Sequence, residues 1–200
     1  MALKLGCVVM AAGNARRFGE NKLAAEVRGR SLIRRALEAV PGEEFERVAV
    51  VTQYPGVLAL AEEFGFTPVR NEHPDQGVSR TIRLGLEALG NLDGVLFLVS
   101  DQPLLRRESV RALAELWRAR PDKIAALGHG GVRGNPCLFP ARFFPELLSL
   151  TEDRGGSAVI RRHKEDLILL EVPEEELTDV DTQEALRELR VESGELRVES

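Results

Sequence analysis

A run of apolar residues near the start of the chain ends in three small residues, Ala11, Ala12 and Gly13, here called the small-residue turn. Side chains this small leave backbone N–H groups open to close approach by a phosphate or a nucleobase. Arg17 and Lys22 follow in the same segment and supply the positive charge that a triphosphate requires. We therefore predict a phosphate-binding segment; a plain strand-to-loop turn with surface arginines is the alternative.

Two better-known phosphate-binding loops are excluded by the spacing of these residues. The P-loop pattern GxxxxGK[ST] fails because Gly19 comes one position too late after Gly13 and is followed by Glu20. The dinucleotide pattern GxGxxG fails because Ala15 stands at its second glycine. A Rossmann-fold oxidoreductase is therefore disfavoured, and without a GxSxG motif a serine hydrolase has no support.

Acidic side chains in two later segments are candidate metal ligands. Asp101 follows the apolar run Gly94–Val99, at the strand end where open α/β sheets place their ligands. Asp179 and Asp181 alternate along an extended segment, so that their side chains face the same way. Mg²⁺ prefers carboxylate oxygens together with substrate phosphates. Each has a structural alternative: Asp101 as a turn residue, and Asp181 as a helix N-cap with Glu184 completing a capping box.

The segment AAG-x3-R-F-G-x2-K resembles the signature LAAGxSxRMGxxK of the MobA/MocA-like nucleotidyltransferases, which transfer NMP from an NTP to the molybdenum cofactor. The matching positions are Gly13, Arg17, Gly19 and Lys22. Ala15 replaces the usual Ser and removes its hydroxyl. The resemblance implies that the small-residue turn binds the nucleotide through backbone groups. It also implies that Arg17 neutralises the β- and γ-phosphates and Lys22 the α-phosphoryl oxygens.

The two acidic segments carry the same resemblance. The tripeptide Asp101-Gln102-Pro103 is similar to the family's metal-binding segment and favours its cytidylyltransferase branch. Residues 179–182, DVDT, resemble the family's late D-x-D-T motif. The resemblance implies that Asp101 and Asp181 together bind Mg²⁺, with Asp179 a less certain third carboxylate.

Residues 71–86 resemble the family's base-recognition loop and the helix after it, N-x5-G-M-x-S-S-L-x2-G-L. Gly77 and Thr81 fit this pattern, whereas Arg80 stands where the family usually has Ser. We expect Gly77, Arg80 and Thr81 to contact the nucleotide. For Arg80, a contact with phosphate or with the second substrate is the alternative.

Two further segments resemble parts of the family that shape the pterin pocket. Residues 131–139 are similar to G-H/N-P-V-L-F, and residues 153–156 are similar to G-D-x-G-A. The candidate acceptor-binding residues are Gln102, Asn135, Asp153 and Gly155. Turn glycines followed by a strand are an equally good interpretation of any single one of these positions.

The resemblance covers about residues 5–190 and implies a Mg²⁺-dependent enzyme. It would transfer CMP from CTP to the molybdopterin (molybdenum) cofactor, release pyrophosphate and serve a molybdoenzyme partner. The cytidylyl branch is favoured because MAAG and DQP resemble that branch, whereas the guanylyl branch has LAGG in place of MAAG. A GTP-dependent guanylyltransferase, an enzyme with another phosphate acceptor, and a non-catalytic cofactor-binding chaperone are the alternatives.

Short apolar runs alternate with longer amphipathic ones, which predicts an α/β protein with helices on both faces of a mostly parallel sheet. The resemblance implies that this is a three-layer α/β/α Rossmann-like nucleotidyltransferase fold. The predicted strands are 3–10, 47–52, 67–70, 94–99, 123–127, 137–139 and 166–172. The predicted helices are 31–40, 57–64, 79–89, 107–119, 141–148, 156–163 and 182–189. We expect one domain over residues 1–190 and a frayed tail over 191–200. The sequence ELRVES occurs at 188–193 and again at 195–200.

Composition narrows the class of protein further. Of the 200 residues, 44% are hydrophobic and 30% charged, as in ordinary globular domains. A net charge of −5 argues against a nucleic-acid partner. No apolar run is long enough to cross a membrane, and two cysteines form neither a disulfide framework nor a zinc motif. We expect a cytoplasmic protein.

Overall fold

The structure is a computed structural model that describes residues 3–13 and 22–192. Arg17, predicted to neutralise the β- and γ-phosphates, lies outside the described residues. The second copy of the ELRVES repeat also lies outside them.

The strands alternate along the chain with helices, as the sequence pattern predicts. The strands are β1 (Leu5–Ala11), β2 (Glu26–Val27), β3 (Arg30–Ser31), β4 (Arg47–Thr52), β5 (Thr67–Arg70), β6 (Gly94–Val99), β7 (Ile124–His129), β8 (Val132–Pro140) and β9 (Leu167–Glu171). The α-helices are α1 (Leu32–Glu38), α2 (Pro55–Glu63), α3 (Val78–Leu89), α4 (Arg107–Ala119), α5 (Phe144–Leu148), α6 (Gly156–Arg162) and α7 (Gln183–Glu192). Short 3₁₀ turns include Lys22–Ala24, Pro74–Gln76 and Glu174–Leu177.

Seven of these strands form one twisted sheet in the order β5-β4-β1-β6-β8-β7-β9. The pairs β5–β4, β4–β1, β1–β6 and β7–β9 are parallel. Strand β8 runs antiparallel to both of its neighbours, β6 and β7. The predicted mostly parallel sheet is therefore confirmed, with one reversed strand inside it.

Helices cover both faces of the sheet, because the strands carry buried apolar side chains on each side. Leu37 of α1, Ala61 of α2 and Trp117 of α4 belong to the core on one face. Ile82 of α3 and Ile160 of α6 belong to the core on the other face. The predicted three-layer arrangement is confirmed. In the described part of the chain, no helix has the length and apolar character needed to cross a membrane.

A third, smaller core attaches the last helix to the molecule. The antiparallel pair β2–β3 supplies Val27, and Leu186 and Leu189 of α7 pack with it. Val180, which precedes α7, is fully buried in the same cluster. The C-terminal segment that carries Asp181 is therefore anchored from both sides.

Hydroxyl side chains cap the N-termini of both α1 and α7. Ser31 is the N-cap of α1, since its hydroxyl accepts a hydrogen bond from the Arg34 N–H. The prediction for Asp181 is wrong: the Thr182 hydroxyl accepts from the Ala185 N–H at 3.1 Å. Helix α7 begins at Gln183, one residue later than predicted, so Glu184 is not at the third helical position that a capping box requires.

Candidate active site

The carboxyl ends of β1, β4 and β6 meet at one edge of the sheet. The Thr52 hydroxyl donates to the Ala11 carbonyl oxygen at 2.9 Å, which joins the end of β4 to the end of β1. The Ser100 hydroxyl donates to the Met10 carbonyl oxygen at 3.0 Å and joins β6 to β1. These bonds fix the edge at which the small-residue turn and Asp101 leave their strands.

The small-residue turn lies at this edge and is held through its carbonyl oxygens. Gln53 Nε2 donates to the Ala12 carbonyl at 2.9 Å, and the Tyr54 hydroxyl donates to the Gly13 carbonyl at 3.3 Å. Ala11 and Ala12 are buried, while Gly13 is exposed. Among the described residues, no heavy atom lies within 4 Å of the position that a Gly13 Cβ would take, so the turn faces open space within that part of the chain.

Lys22 brings the two predicted metal ligands together. Its Nζ lies 3.0 Å from Asp101 Oδ2 and 2.9 Å from Asp181 Oδ1. The Lys22 side chain is only 12% exposed, against 26% for Asp101 and 63% for Asp181. Partial burial lowers the pKa of Lys22, but the two carboxylates outweigh burial and raise that pKa above its usual value. A cation between two carboxylates is the arrangement that a divalent metal site also needs.

Backbone contacts between two distant segments set the positions of the two carboxylates. The Val180 N–H donates to the Asp101 carbonyl at 2.9 Å. Gln102, the residue after Asp101, donates from Nε2 to the carbonyl of Leu177, three residues before Val180, at 3.2 Å. Asp101 and Asp181 are thus held as one unit, although they are far apart in sequence.

Glu176 strengthens the same connection and was not among the candidates from sequence. It is 1% exposed, and its Oε2 accepts a hydrogen bond from the Arg106 N–H at 3.1 Å. Its Oε1 lies 3.6 Å from Arg106 Nε. Glu176 stands in the acidic run 174–176, which by composition reads as a solvent-exposed surface, so no local signal marks it as buried.

Asp179 lies in the electrostatic field of the carboxylate pair Asp101 and Asp181. Although the residue is exposed, loss of hydration raises the pKa of Asp179, and the negative charges of Asp101 and Asp181 raise it further. A hydrogen bond with Gln102 and the charge of Lys22 act in the opposite direction. Asp179 is therefore adjacent to the pair, as its place in the DVDT segment predicts.

The predicted base-recognition residues form a connected network around Asn71, which is 1% exposed. Asn71 Nδ2 donates to the Thr81 hydroxyl at 3.4 Å. Arg80 Nε donates to Asn71 Oδ1 at 3.0 Å, and Arg80 NH1 donates to Gln76 Oε1 at 3.2 Å. The Asn71 N–H donates to the Thr52 carbonyl at 2.8 Å, so the network reaches the strand beside the small-residue turn.

Gly77 joins this network to the predicted acceptor side. Its φ is +81°, and a Cβ there would lie 2.4 Å from the carbonyl carbon and oxygen of Glu152. The Ser79 N–H donates to the same Glu152 carbonyl at 3.0 Å. Gly77 is therefore where two backbone segments approach closely, which places Asp153 and Gly155 next to the start of α3.

The remaining acceptor candidates surround the start of β8. Asn135 is half-buried and lies in a cis peptide bond with Pro136. Gln102 is 3% exposed, and its Oε1 has no hydrogen-bond partner within the described residues. Arg133, which sequence reasoning did not select, donates from NH2 to the Ser157 hydroxyl at 2.9 Å. These residues border the same sheet edge as Asp101.

This chain is similar in sequence to a family model and to named bacterial proteins. Residues 7–167 match the model of the MobA-like NTP transferase domain. The purine catabolism protein PucB of Bacillus subtilis is 26% identical over 191 residues, which cover 88% of this chain and 91% of that protein. The probable molybdenum cofactor guanylyltransferase of the same organism is 30% identical over 151 residues, with 74% and 73% covered.

Solved structures share the fold. A CMP:2-keto-3-deoxy-manno-octonic acid synthetase complexed with CTP superposes with a TM-score of 0.73 at 16% identity, covering 96% of this chain and 100% of that one. Rv0371c of Mycobacterium tuberculosis, in complex with manganese, has a TM-score of 0.73 at 21% identity, covering 94% and 98%. At these sequence identities, the likeness shows a shared fold and nothing further.

Proposed function

This chain belongs to the MobA-like NTP transferase domain family and is a nucleotidyltransferase, and from that premise we propose that it transfers CMP from CTP to the phosphate of molybdopterin. Pyrophosphate is the other product. The observation that carries the proposal is the convergence of Lys22, Asp101 and Asp181 beside the small-residue turn.

Charge neutralisation is the main catalytic task, because the reaction brings an anionic phosphate against a triphosphate. An oxygen of the acceptor phosphate forms the new bond to the α-phosphorus. The bond from that phosphorus to the bridging oxygen breaks, and its electron pair leaves with pyrophosphate. The attacking phosphate is already ionised, so no general base is required.

The described residues divide this task between them. Asp101 and Asp181 are the pair suited to hold Mg²⁺, since an oxygen of each already contacts the same cationic group, Lys22 Nζ, at 3.0 Å and 2.9 Å. Such an ion supplies charge neutralisation across the triphosphate. Lys22 leaves the carboxylates and neutralises the α-phosphoryl oxygens, while Ala11, Ala12 and Gly13 bind the nucleotide. Arg17, outside the described residues, acts on the β- and γ-phosphates.

We propose CTP as the nucleotide substrate because of the MAAG and DQP segments and because of the likeness to a synthetase solved with CTP. A guanylyltransferase is the second candidate, because a relative 30% identical to this chain is named as a probable molybdenum cofactor guanylyltransferase. A divalent metal is supported by the carboxylate pair and by a structural relative solved with manganese. In this proposal a molybdoenzyme receives the product.

The experiment is pyrophosphate release by purified protein given molybdopterin, Mg²⁺ and either CTP or GTP. We expect at least about tenfold higher kcat/KM with CTP than with GTP. Asp101→Asn should lower kcat by about 100-fold, because a metal ligand is lost, whereas Asp122→Asn, at an exposed position away from the edge, should leave it unchanged. Tight molybdopterin binding without pyrophosphate release under any NTP would support the chaperone and overturn the proposal.

A further inference from the structure

Three consecutive carbonyl groups at the small-residue turn are each held by a side chain from one neighbouring segment, residues 52–54 at the end of β4. The Thr52 hydroxyl, Gln53 Nε2 and the Tyr54 hydroxyl donate in turn to the carbonyl oxygens of Ala11, Ala12 and Gly13, at 2.9, 2.9 and 3.3 Å. The pairing of β1 with β4 ends at Ala11 and Thr52. Gln53 and Tyr54, here called the carbonyl clamp, therefore hold the two carbonyls that lie beyond the last paired residues.

The directions of these carbonyls are not those of a continuing strand. In a strand, successive carbonyls point alternately to opposite neighbours, whereas the carbonyls of residues 11–13 all accept from residues 52–54. A trans peptide bond points its C=O and the N–H that follows in opposite directions. The N–H groups of Ala12 and Gly13 are therefore turned away from residues 52–54. Strand β6, which leads into Asp101, lies on the opposite side of β1 from β4.

The peptide between Ala12 and Gly13 needs such a clamp because of the glycine. Glycine adopts positive and negative φ about equally readily, so the chain itself does not fix the direction of this peptide. Across residues 3–13 and 22–192, the Gly13 N–H donates no hydrogen bond that would fix it either. The hydrogen bond from Gln53 to the Ala12 carbonyl removes this freedom.

The carbonyl clamp is itself anchored in the protein interior. Tyr54 packs against the core that lies between the sheet and helices α1, α2 and α4. Its N–H donates to the hydroxyl of the fully buried Thr52 at 3.1 Å. Loss of hydration raises the pKa of Tyr54, so that its hydroxyl keeps the proton that it donates to Gly13. The clamp therefore fixes the turn relative to the sheet.

We propose that Gln53 and Tyr54 are positioning residues for the nucleotide: by holding two carbonyls, they aim the backbone N–H groups of the small-residue turn at an acceptor atom of the nucleotide. This inference rests on the proposed function, in which the turn binds the nucleotide. Successive backbone N–H groups turned to one side form a concavity suited to an anionic or carbonyl oxygen. A phosphate oxygen and an oxygen of the nucleoside both have this chemistry. Neither side chain of the clamp contacts the nucleotide itself.

The test is the equilibrium dissociation constant of CTP, GTP and inorganic tripolyphosphate, each with Mg²⁺ and without acceptor. Gln53→Met keeps the length of the side chain without its donor, and Tyr54→Phe removes only the hydroxyl. We expect Gln53→Met to weaken CTP and GTP binding by about 5- to 30-fold, because the competent direction of the peptide becomes a minor state. Tyr54→Phe should weaken both by about three- to tenfold, the effect of one neutral hydrogen bond.

Two further measurements separate positioning from a general loss of structure. Without nucleotide, the amide resonance of Gly13 in an NMR spectrum should broaden or split in Gln53→Met, because the peptide samples two directions. The melting temperature of the nucleotide-free protein should fall by no more than about 3 °C. The matched control is Glu62→Met, at an exposed position of α2, which should change none of these quantities.

A loss of affinity that tripolyphosphate shares would assign the N–H groups to a phosphate oxygen, and a loss confined to CTP and GTP would assign them to the nucleoside; both support the inference. Unchanged nucleotide binding in Gln53→Met and Tyr54→Phe would overturn it. Weaker binding that accompanies a large fall in melting temperature, with a single unshifted Gly13 resonance, would also overturn it. The proposed function fails separately: a wild type that binds CTP but releases no pyrophosphate with molybdopterin refutes that function and not the role of the clamp.

Discussion

Lys22 Nζ and Asp101 Oδ2 lie 3.0 Å apart although the two residues are separated by 79 positions in the chain. With Asp181 on its other side, the ammonium group occupies the space between the two proposed metal ligands. In the proposed function, a divalent ion would compete with this ammonium group for the same carboxylate oxygens, so that binding to both would require Lys22 to move away. A bound triphosphate would favour that movement, since it would offer Lys22 new anionic partners.

Lys22→Met should therefore have opposite effects on metal binding and on turnover. Without nucleotide, Mn²⁺ affinity should rise by roughly tenfold because a competing charge is removed. Turnover should fall by about 100-fold because the α-phosphoryl charge is no longer neutralised. Calorimetric titration with Mn²⁺ and steady-state pyrophosphate release measure the two effects.

The matched control for this prediction is Lys123→Met. Lys123 also pairs with a carboxylate, Asp166 at 3.0 Å, but in the segment before β9. It should leave turnover unchanged. Weaker Mn²⁺ binding in Lys22→Met would contradict the competition.

Glu176→Gln should loosen the connection between the two carboxylate-bearing segments. The variant keeps the size of the side chain but weakens its contacts with Arg106, and we expect the free energy of unfolding to fall by about 1–3 kcal/mol. Mn²⁺ affinity, measured well below the unfolding temperature, should fall as well. Glu175→Gln is the control, since Glu175 is exposed and its ion pair with Arg106 lies at the surface. Lower stability with unchanged Mn²⁺ affinity would show that Glu176 stabilises the fold but does not position the two carboxylates.

Gly77→Ala should destabilise the protein strongly. The added methyl group would lie 2.4 Å from the Glu152 carbonyl, at a φ of +81° that alanine rarely adopts. We expect a loss of about 2–4 kcal/mol in urea unfolding. Gly56→Ala is the control, because it stands in α2 and, apart from its chain neighbours and the backbone of its own helix, no heavy atom of the described residues lies within 4 Å of the added Cβ. It should leave stability unchanged or raise it by up to about 1 kcal/mol.

Asp179→Asn should raise the melting temperature at pH 7. The folded-state pKa of Asp179 is raised by lost hydration and neighbouring carboxylates, so the folded protein binds this proton more tightly than the unfolded chain. Its contribution to the free energy of unfolding therefore decreases as the pH rises from the ordinary aspartate pKa through the raised one. We expect a gain of about 1–2 °C at pH 7, which disappears below about pH 4. A melting temperature that falls at pH 7 would contradict this sign, and Asp122→Asn serves as the control.

Much of the fold follows from local sequence. The predicted bounds of β4 and β6 are confirmed because continuous Val, Ala and Leu runs between polar turns have few other solutions. The β2–β3 pair was not predicted, since strands of two residues carry no periodicity. The first residues of β8 were missed because residues 132–136 contain Gly, Arg and Pro, and its reversed direction has no local signal.

The candidate site likewise contains some residues that local sequence selects and others that only tertiary packing reveals. The motif residues Lys22, Asp101 and Asp181 could be selected from the chain, and the structure brings them together. Glu176 and the Val180–Asp101 hydrogen bond could not, because they depend on the approach of segments 70 or more positions apart. Arg80 was selected as a departure from a pattern, but its amide partners emerge only from the packing of α3 against the preceding loop.

The hydrogen bond from Val180 to the Asp101 carbonyl also bears on synthesis of the chain. A ribosome releases residues in order, and domains begin to fold as they emerge. When Asp101 has left the ribosome but residue 181 has not, the nascent chain already contains the small-residue turn and Lys22. It contains only one of the two carboxylates. Translation thus separates the appearance of the proposed nucleotide-binding surface from the completion of the proposed metal site by some 80 residues, about 4 to 16 seconds of elongation at about 5–20 residues per second.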